Sequence, residues 1–243
     1  MGDKIILQTE SVTKKFGNLL AVNKVSFDIF EGEVLGLIGP NGAGKTTLFN
    51  TITGLYQPDG GRVLFNGIDI SGIQPYKVCK LGMSRTFQVT KAFGSMSVSE
   101  AVRVGAYNRH GEKNVAEKVD EILDFFQLSE IRDQKCSDLG LAPLKRVELA
   151  RAAATDPVLL LLDEAGAGLT ATEMAELMNM LKVLREKLNI TLCIVEHVMQ
   201  MVMGLCDRIV VLDHGVLIAQ GLPVEISRNQ SVIEAYLGKR AVK

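Results

Sequence analysis

The run Gly39-Pro-Asn-Gly-Ala-Gly-Lys-Thr-Thr47 constrains the fold of this chain more than any other segment. It matches the pattern G-x-x-x-x-G-K-[ST]. An apolar stretch, Val34 to Ile38, precedes it, and a helical stretch, Thr47 to Leu55, follows and stops near Gly54. Strand, glycine loop and helix in that order cradle a polyphosphate, because successive backbone N–H groups turn inward and the helix N-terminus adds partial positive charge. Lys45 then reaches the β and γ phosphates and Thr46 offers its hydroxyl to Mg2+, so ATP with Mg2+ is the expected ligand. A chance glycine turn is the plain alternative, and the flanking strand and helix argue against it.

A second segment fits the first. Leu159 to Leu162 is an apolar strand that ends in Asp163 and Glu164. A strand tip lets Asp163 face a metal, and it lets Glu164 polarise a water for attack on the γ-phosphate. Two acids after a strand are commonly just solvated surface; in a chain with a phosphate loop they belong to a nucleotide site.

The rest of the pattern supplies the frame. Gln57 to Gly61 is turn chemistry, and Arg62 to Phe65 leads into Asn66-Gly67, which predicts antiparallel pairing. Strands at Val158 to Leu162 and Thr191 to Val195, separated by a helix from Thr172 to Lys187, imply a largely parallel sheet. Ile209 to Leu212 and Val216 to Ala219 flank Asp213-His214-Gly215 as a hairpin. From Val89 to Ala154 helical periodicity replaces strand-like runs. There a helix capped by Asn114, with Glu117 three residues on, places Val115, Val119, Ile122, Leu123 and Phe126 on one face. Pro143 suits the first turn of a further helix running through Arg151. The expected fold is α/β, a P-loop core with an antiparallel β subdomain and an inserted helical subdomain, divided at 1–88, 89–154 and 155–243.

Composition excludes several classes. An apolar share of 47% against 23% charged leaves no room for extensive disorder. A net charge of −1 provides no overall positive field, so nucleic acid is not an expected partner. The longest apolar stretches fall far short of the ~20 residues a bilayer span needs, so any membrane contact is expected to be peripheral. Four cysteines without CxxC spacing, and an N-terminus without a secretory apolar run, point to a reducing cytoplasm.

Gln88 in Arg-Thr-Phe-Gln88 and His197 in Val-Glu-His197, in order with the two motifs above, resemble the ATPase subunits of ABC transporters over nearly the whole chain. The resemblance implies the ABC variant of the RecA-like fold. It also implies that Phe16 stacks on adenine and that Val22, Asn41, Gly42, Gly44, Lys45, Thr46 and Thr47 bind nucleotide. Thr46, Gln88 and Asp163 would ligate Mg2+, and Glu164, His197 and Gln88 would be catalytic. Gly82 to Gln88 and the ending from Ile218 are similar to ATPases of branched-chain amino-acid importers. That similarity implies uptake of those or related small polar solutes. Its partners would be two transmembrane permease subunits, a second related ATPase subunit or a second copy of this chain, and an extracytoplasmic substrate-binding protein. The chain would then sit at the cytoplasmic face of the membrane, with a permease contact near Val89 to Val98 around Lys91.

Two segments depart from the family pattern. Counting back from Arg151 places the signature at Leu139-Gly-Leu-Ala-Pro143, where Gly140 replaces a serine, Ala142 a glycine and Pro143 a glutamine, and Pro143 has no N–H to donate. Thr170 stands where an acidic or amide residue is usual. In family dimers the signature, here Gly140, Leu141 and Ala142, serves the opposite nucleotide. The chain is therefore expected to have a competent pocket of its own, to impair its neighbour's, and to hydrolyse ATP weakly alone. A non-transport ABC ATPase and a P-loop kinase are the alternatives. The first usually has paired ATPase units or long coiled-coil insertions, and the second has no use for the Gln88 and His197 constellation.

Overall fold

The structure is a computed structural model that describes residues 4–86, 93–108 and 112–237, without the side chains of 112 and 113. The chain forms two compact units, residues 1–78 with 191–243, and residues 79–190.

The first unit opens with β1 (Ile5–Phe16) and β2 (Leu19–Phe30), an antiparallel pair. After β3 (Val34–Ile38) and α1 (Lys45–Ile52), β4 (Gly60–Phe65) pairs antiparallel with the other side of β1 and with the short β5 (Ile68–Asp69). Asn66 and Gly67 both have positive φ, 49° and 76°, the tight turn expected from that dipeptide. Helix α2 (Pro75–Leu81) carries the chain into the second unit.

That unit contains β6 (Met83–Arg85), α3 (Val98–Ala106), α4 (Glu112–Phe125), α5 (Leu141–Ala153), β7 (Leu159–Asp163) and α6 (Ala171–Leu188). Strands β6 and β7 run parallel. Val115, Val119, Ile122, Leu123 and Phe126 are buried as one face, as the periodicity predicts. Asn114 is not the cap of α4, because the helix already starts at Glu112. Glu and Lys are good helix formers, so the polar residues before the apolar face extend the helix instead of ending it.

The chain returns to the first unit with β8 (Thr191–Val195), α7 (Met199–Leu205), β9 (Arg208–Asp213), β10 (Val216–Gly221), α8 (Pro223–Ser227) and α9 (Gln230–Leu237). Strand β3 runs parallel to β8 on one side and to β9 on the other, and β10 closes the predicted hairpin. Every residue of β3 and β8 is buried, which is why their sequences are largely apolar without alternation. At the opposite end of β3, Glu33 is 1% exposed and receives both Arg208 Nε, at 2.7 Å, and Arg208 Nη2, at 3.1 Å. This two-pronged ion pair fixes β9 beside β3.

Candidate functional site

The phosphate loop leaves the C-terminal end of β3. Gly39 has φ 151°, and a Cβ there would stand 2.1 Å from the Leu212 carbonyl oxygen, so no other residue fits. Gly42 and Gly44 also have positive φ, 80° and 98°, which coils the loop. Gly44 is the N-cap of α1, so the helix starts at Lys45, two residues before the start read from sequence. Lys45 is 9% exposed, and its Nζ donates to the carbonyl oxygens of Gly39 at 2.7 Å and Pro40 at 2.9 Å. Asn41, Gly42 and Thr46 are exposed and Thr47 is half-buried. Backbone N–H groups at a helix start, one ammonium and an exposed hydroxyl form a donor set that fits a polyphosphate with a hard, oxygen-seeking cation.

Register brings His197 to the same edge of the first unit. Leu37 pairs with Val195 in the parallel β3 and β8, so Gly39 and His197 both emerge two residues beyond that pair. The carboxyl ends of parallel strands are where such sheets bind ligands. His197 is exposed there. Phe16, the last residue of β1, is 43% exposed, and its ring meets Tyr56 edge-on with centroids 5.3 Å apart.

Val22 requires a correction. It is 0% exposed, part of the core, and presents nothing to a ligand. Strict alternation from the buried Val25 would turn Val22 outward, but the register shifts between the pairs Val12 with Val25 and Lys14 with Val22 rotate it inward. The neighbouring Ala21 is the residue at the loop: a Cβ on Gly44 would lie 2.3 Å from the Ala21 carbonyl oxygen.

The acidic segment belongs to the second unit. Asp163 ends β7 and is 4% exposed. Arg85 Nη2 lies 3.2 Å from Asp163 Oδ2, and the Asp163 N–H donates to Thr86 Oγ1 at 3.3 Å. Glu164 is half-buried and has φ 52°, the left-handed region that a residue with a Cβ seldom adopts. Thr86, Lys145, Glu148, Leu149, Asp163, Glu164 and Ala165 line a cleft of about 10 Å³, near the size of one water. Burial, opposed by Arg151 and Lys145, pushes the Glu148 carboxyl up to about 6. Sequence reading did not single out Arg85, Thr86, Lys145 or Glu148, because only tertiary approach brings them to the acids. Gln88, Lys91 and the rest of 87–92 lie outside the described residues.

The segment that the family resemblance makes the signature leads into α5. Gly140 is its N-cap, Leu141 is 45% exposed, and Pro143 is the third helical residue, where a missing N–H costs no intrahelical bond. The first closed turn runs from the Leu144 N–H to the Gly140 carbonyl at 3.1 Å. Thr170 caps α6: its hydroxyl accepts the Glu173 N–H at 3.3 Å, and its own N–H donates to Glu173 Oε2 at 2.8 Å. A helix cap thus occupies the position where the family resemblance implies an acidic or amide residue.

The chain is similar to known proteins along almost its full length. The profile described as ABC transporter matches residues 22–167, and that of the branched-chain amino acid ATP-binding cassette transporter matches 216–242. The high-affinity branched-chain amino acid transport ATP-binding protein BraF of Pseudomonas aeruginosa is 37% identical over 96% of this chain and 98% of its own length. The corresponding protein LivG of Escherichia coli is 36% identical over the same shares. The solved ADP conformation of MJ1267, an ATP-binding cassette of an ABC transporter, is 33% identical with a TM-score of 0.87, over 97% of this chain and 100% of that one. By sequence and by fold, the chain belongs to the ABC transporter family, as one of its ATP-binding, ATP-hydrolysing cassettes.

Proposed function

We propose that this chain hydrolyses MgATP to power the uptake of branched-chain amino acids through a membrane permease. The observation that carries the proposal is the match to BraF and LivG across almost the full length of both chains, including the C-terminal segment 216–242.

The residues divide the work. The coiled loop at Gly39 to Thr47 binds the β and γ phosphates through backbone N–H groups and Lys45, whose ammonium already rests on the loop carbonyls. Phe16 stacks on the adenine. The Thr46 hydroxyl, the Asp163 carboxylate and the Gln88 side chain are the groups that would hold Mg2+. When bound, the cation neutralises charge on the β and γ phosphate oxygens. Glu164 polarises the attacking water and His197 contacts the γ-phosphate. Two permease subunits provide the path and an extracytoplasmic binding protein delivers the solute; no helix among the described residues of this chain is long and apolar enough to cross a membrane.

Within a dimer of cassettes, the Gly140 to Pro143 segment faces the neighbour's nucleotide with fewer donors than a serine and glutamine would provide. A second, related ATPase with an intact signature then completes the pocket at Lys45. Uptake of labelled leucine tests the assignment. Cells lacking the chain should lose uptake, the wild-type chain should restore it, and Glu164→Gln should not. Unchanged uptake without the chain, or purification free of any permease, would favour a role outside transport.

A further inference from the structure

Lys145 lies on α5, three residues beyond the altered signature's Ala142, yet it reaches the acidic segment after β7. Its Nζ donates to the carbonyl oxygen of Ala165 at 2.8 Å and to that of Glu164 at 3.2 Å. The same Glu164 carbonyl also accepts the Ala167 N–H at 3.2 Å, so the turn after Asp163 closes under the ammonium. Leu141, one helical turn earlier, packs against this turn as well: a Cβ on Gly168 would stand 2.9 Å from Leu141 Cδ2. One face of α5 therefore grips the segment 164–168 at two points.

The grip falls on the residue that needs it. Glu164 holds φ 52°, a left-handed conformation in which its Cβ crowds the following carbonyl oxygen. Two consecutive carbonyls turned toward one cation fix the peptide plane between them, and that plane sets the direction of the Glu164 Cα–Cβ bond. Without the cation, the left-handed form of a residue with a Cβ is disfavoured about tenfold against the right-handed form. The carboxylate would then point along the wrong direction most of the time.

We propose that Lys145 is a positioning residue for ATP hydrolysis, holding the backbone of Glu164 so that its carboxylate is aimed at the attacking water. This rests on Glu164 being the residue that polarises that water. Lys145 itself touches neither nucleotide nor water in this role, so its loss should lower kcat and leave nucleotide affinity unchanged.

The test measures kcat and KM for MgATP in the full assembly with its partner ATPase and permeases, together with binding of a fluorescent ATP analogue. The variants are Lys145→Met, Lys145→Arg, Glu164→Gln and the double Lys145→Met with Glu164→Gln. The expected result is a fall of about tenfold in kcat for Lys145→Met, with KM and analogue binding within about twofold and with most of kcat restored by Lys145→Arg. The double variant should be no slower than Glu164→Gln alone, because both changes act on one group. If Glu164→Gln abolishes turnover while Lys145→Met retains wild-type kcat, the proposal for Lys145 is overturned. It is equally overturned if kcat and analogue binding fall together and Lys145→Arg restores neither, since that is the mark of general misfolding. If Glu164→Gln itself retains turnover, the assignment of Glu164 fails, whatever Lys145 does.

Discussion

The guanidinium of Arg85 meets the carboxylate of Asp163 at 3.2 Å with both side chains nearly enclosed, 10% and 3% exposed. Strands β6 and β7 run parallel with Arg85 opposite Leu161, so Arg85 is held two residues short of Asp163 on the adjacent strand. The arginine provides counter-charge for an acid at a buried strand tip. Arg85→Met should cost ~3 kcal/mol of stability, and Arg85→Lys less. Urea unfolding of the full chain checks this, and an unchanged midpoint for Arg85→Met would show the pair to be structurally neutral.

Phe16 is held edge-on by Tyr56 and stays 43% exposed, so its outer face is open to a base. Phe16→Ala should weaken ATP binding about tenfold, and Phe16→Tyr should preserve it. Fluorescence titration with an adenine nucleotide distinguishes a stacking platform from a bystander, for which both variants would bind alike.

Glu148 gives the second unit a pH signature. Its carboxyl is raised from the ordinary 4.5 to about 6 by burial, partly offset by Arg151 and Lys145. Between those values the folded chain keeps a proton the unfolded chain has lost, so stability falls as pH rises through that window. Above it the charged carboxylate costs about 1 kcal/mol once solvent screening is allowed for. Glu148→Gln should raise the melting temperature by ~2 °C near neutral pH and leave it unchanged in acid below the window. A gain of equal size at both extremes would contradict this.

The cysteines should differ sharply in reactivity. Cys79 is half-buried, whereas Cys136, Cys193 and Cys206 are buried. Burial, reinforced by Asp207, Glu196 and Glu33, pushes the Cys206 thiol up to about 12, and burial raises Cys193 and Cys136 as well. A thiol-specific reagent on the native chain should label Cys79 first, and denaturation should release the other three.

What the sequence revealed depended on how local its cause was. Thr191 to Val195 is legible in the sequence with its observed ends because a buried parallel strand shows no alternation, and here the apolar run Leu192 to Val195 stops at Glu196. The phosphate loop was legible because its glycines satisfy backbone geometry within the loop itself. Val22, which the family resemblance places at the nucleotide, is turned into the core by an irregularity in its own strand, where β2 advances three residues from Val25 to Val22 while β1 advances two from Val12 to Lys14. The cap at Asn114 failed because polar residues before an apolar face can cap a helix or lengthen it, and here they lengthen it. Lys145 and Arg85 carried no local mark at all: Lys145 meets Glu164 across a separation of 19 residues, and Arg85 meets Asp163 across 78.

Turnover of the isolated chain against the assembled transporter tests the central claim most directly. That claim joins a phosphate loop at Gly39 to Thr47 that is competent to bind MgATP to a signature that serves a neighbour poorly. ATP hydrolysis should be slow for the chain alone and should rise severalfold on adding a partner ATPase with an intact signature. Lys45→Ala in this chain should then abolish the gain. Rapid hydrolysis by the isolated chain, unaffected by the partner, would contradict the account.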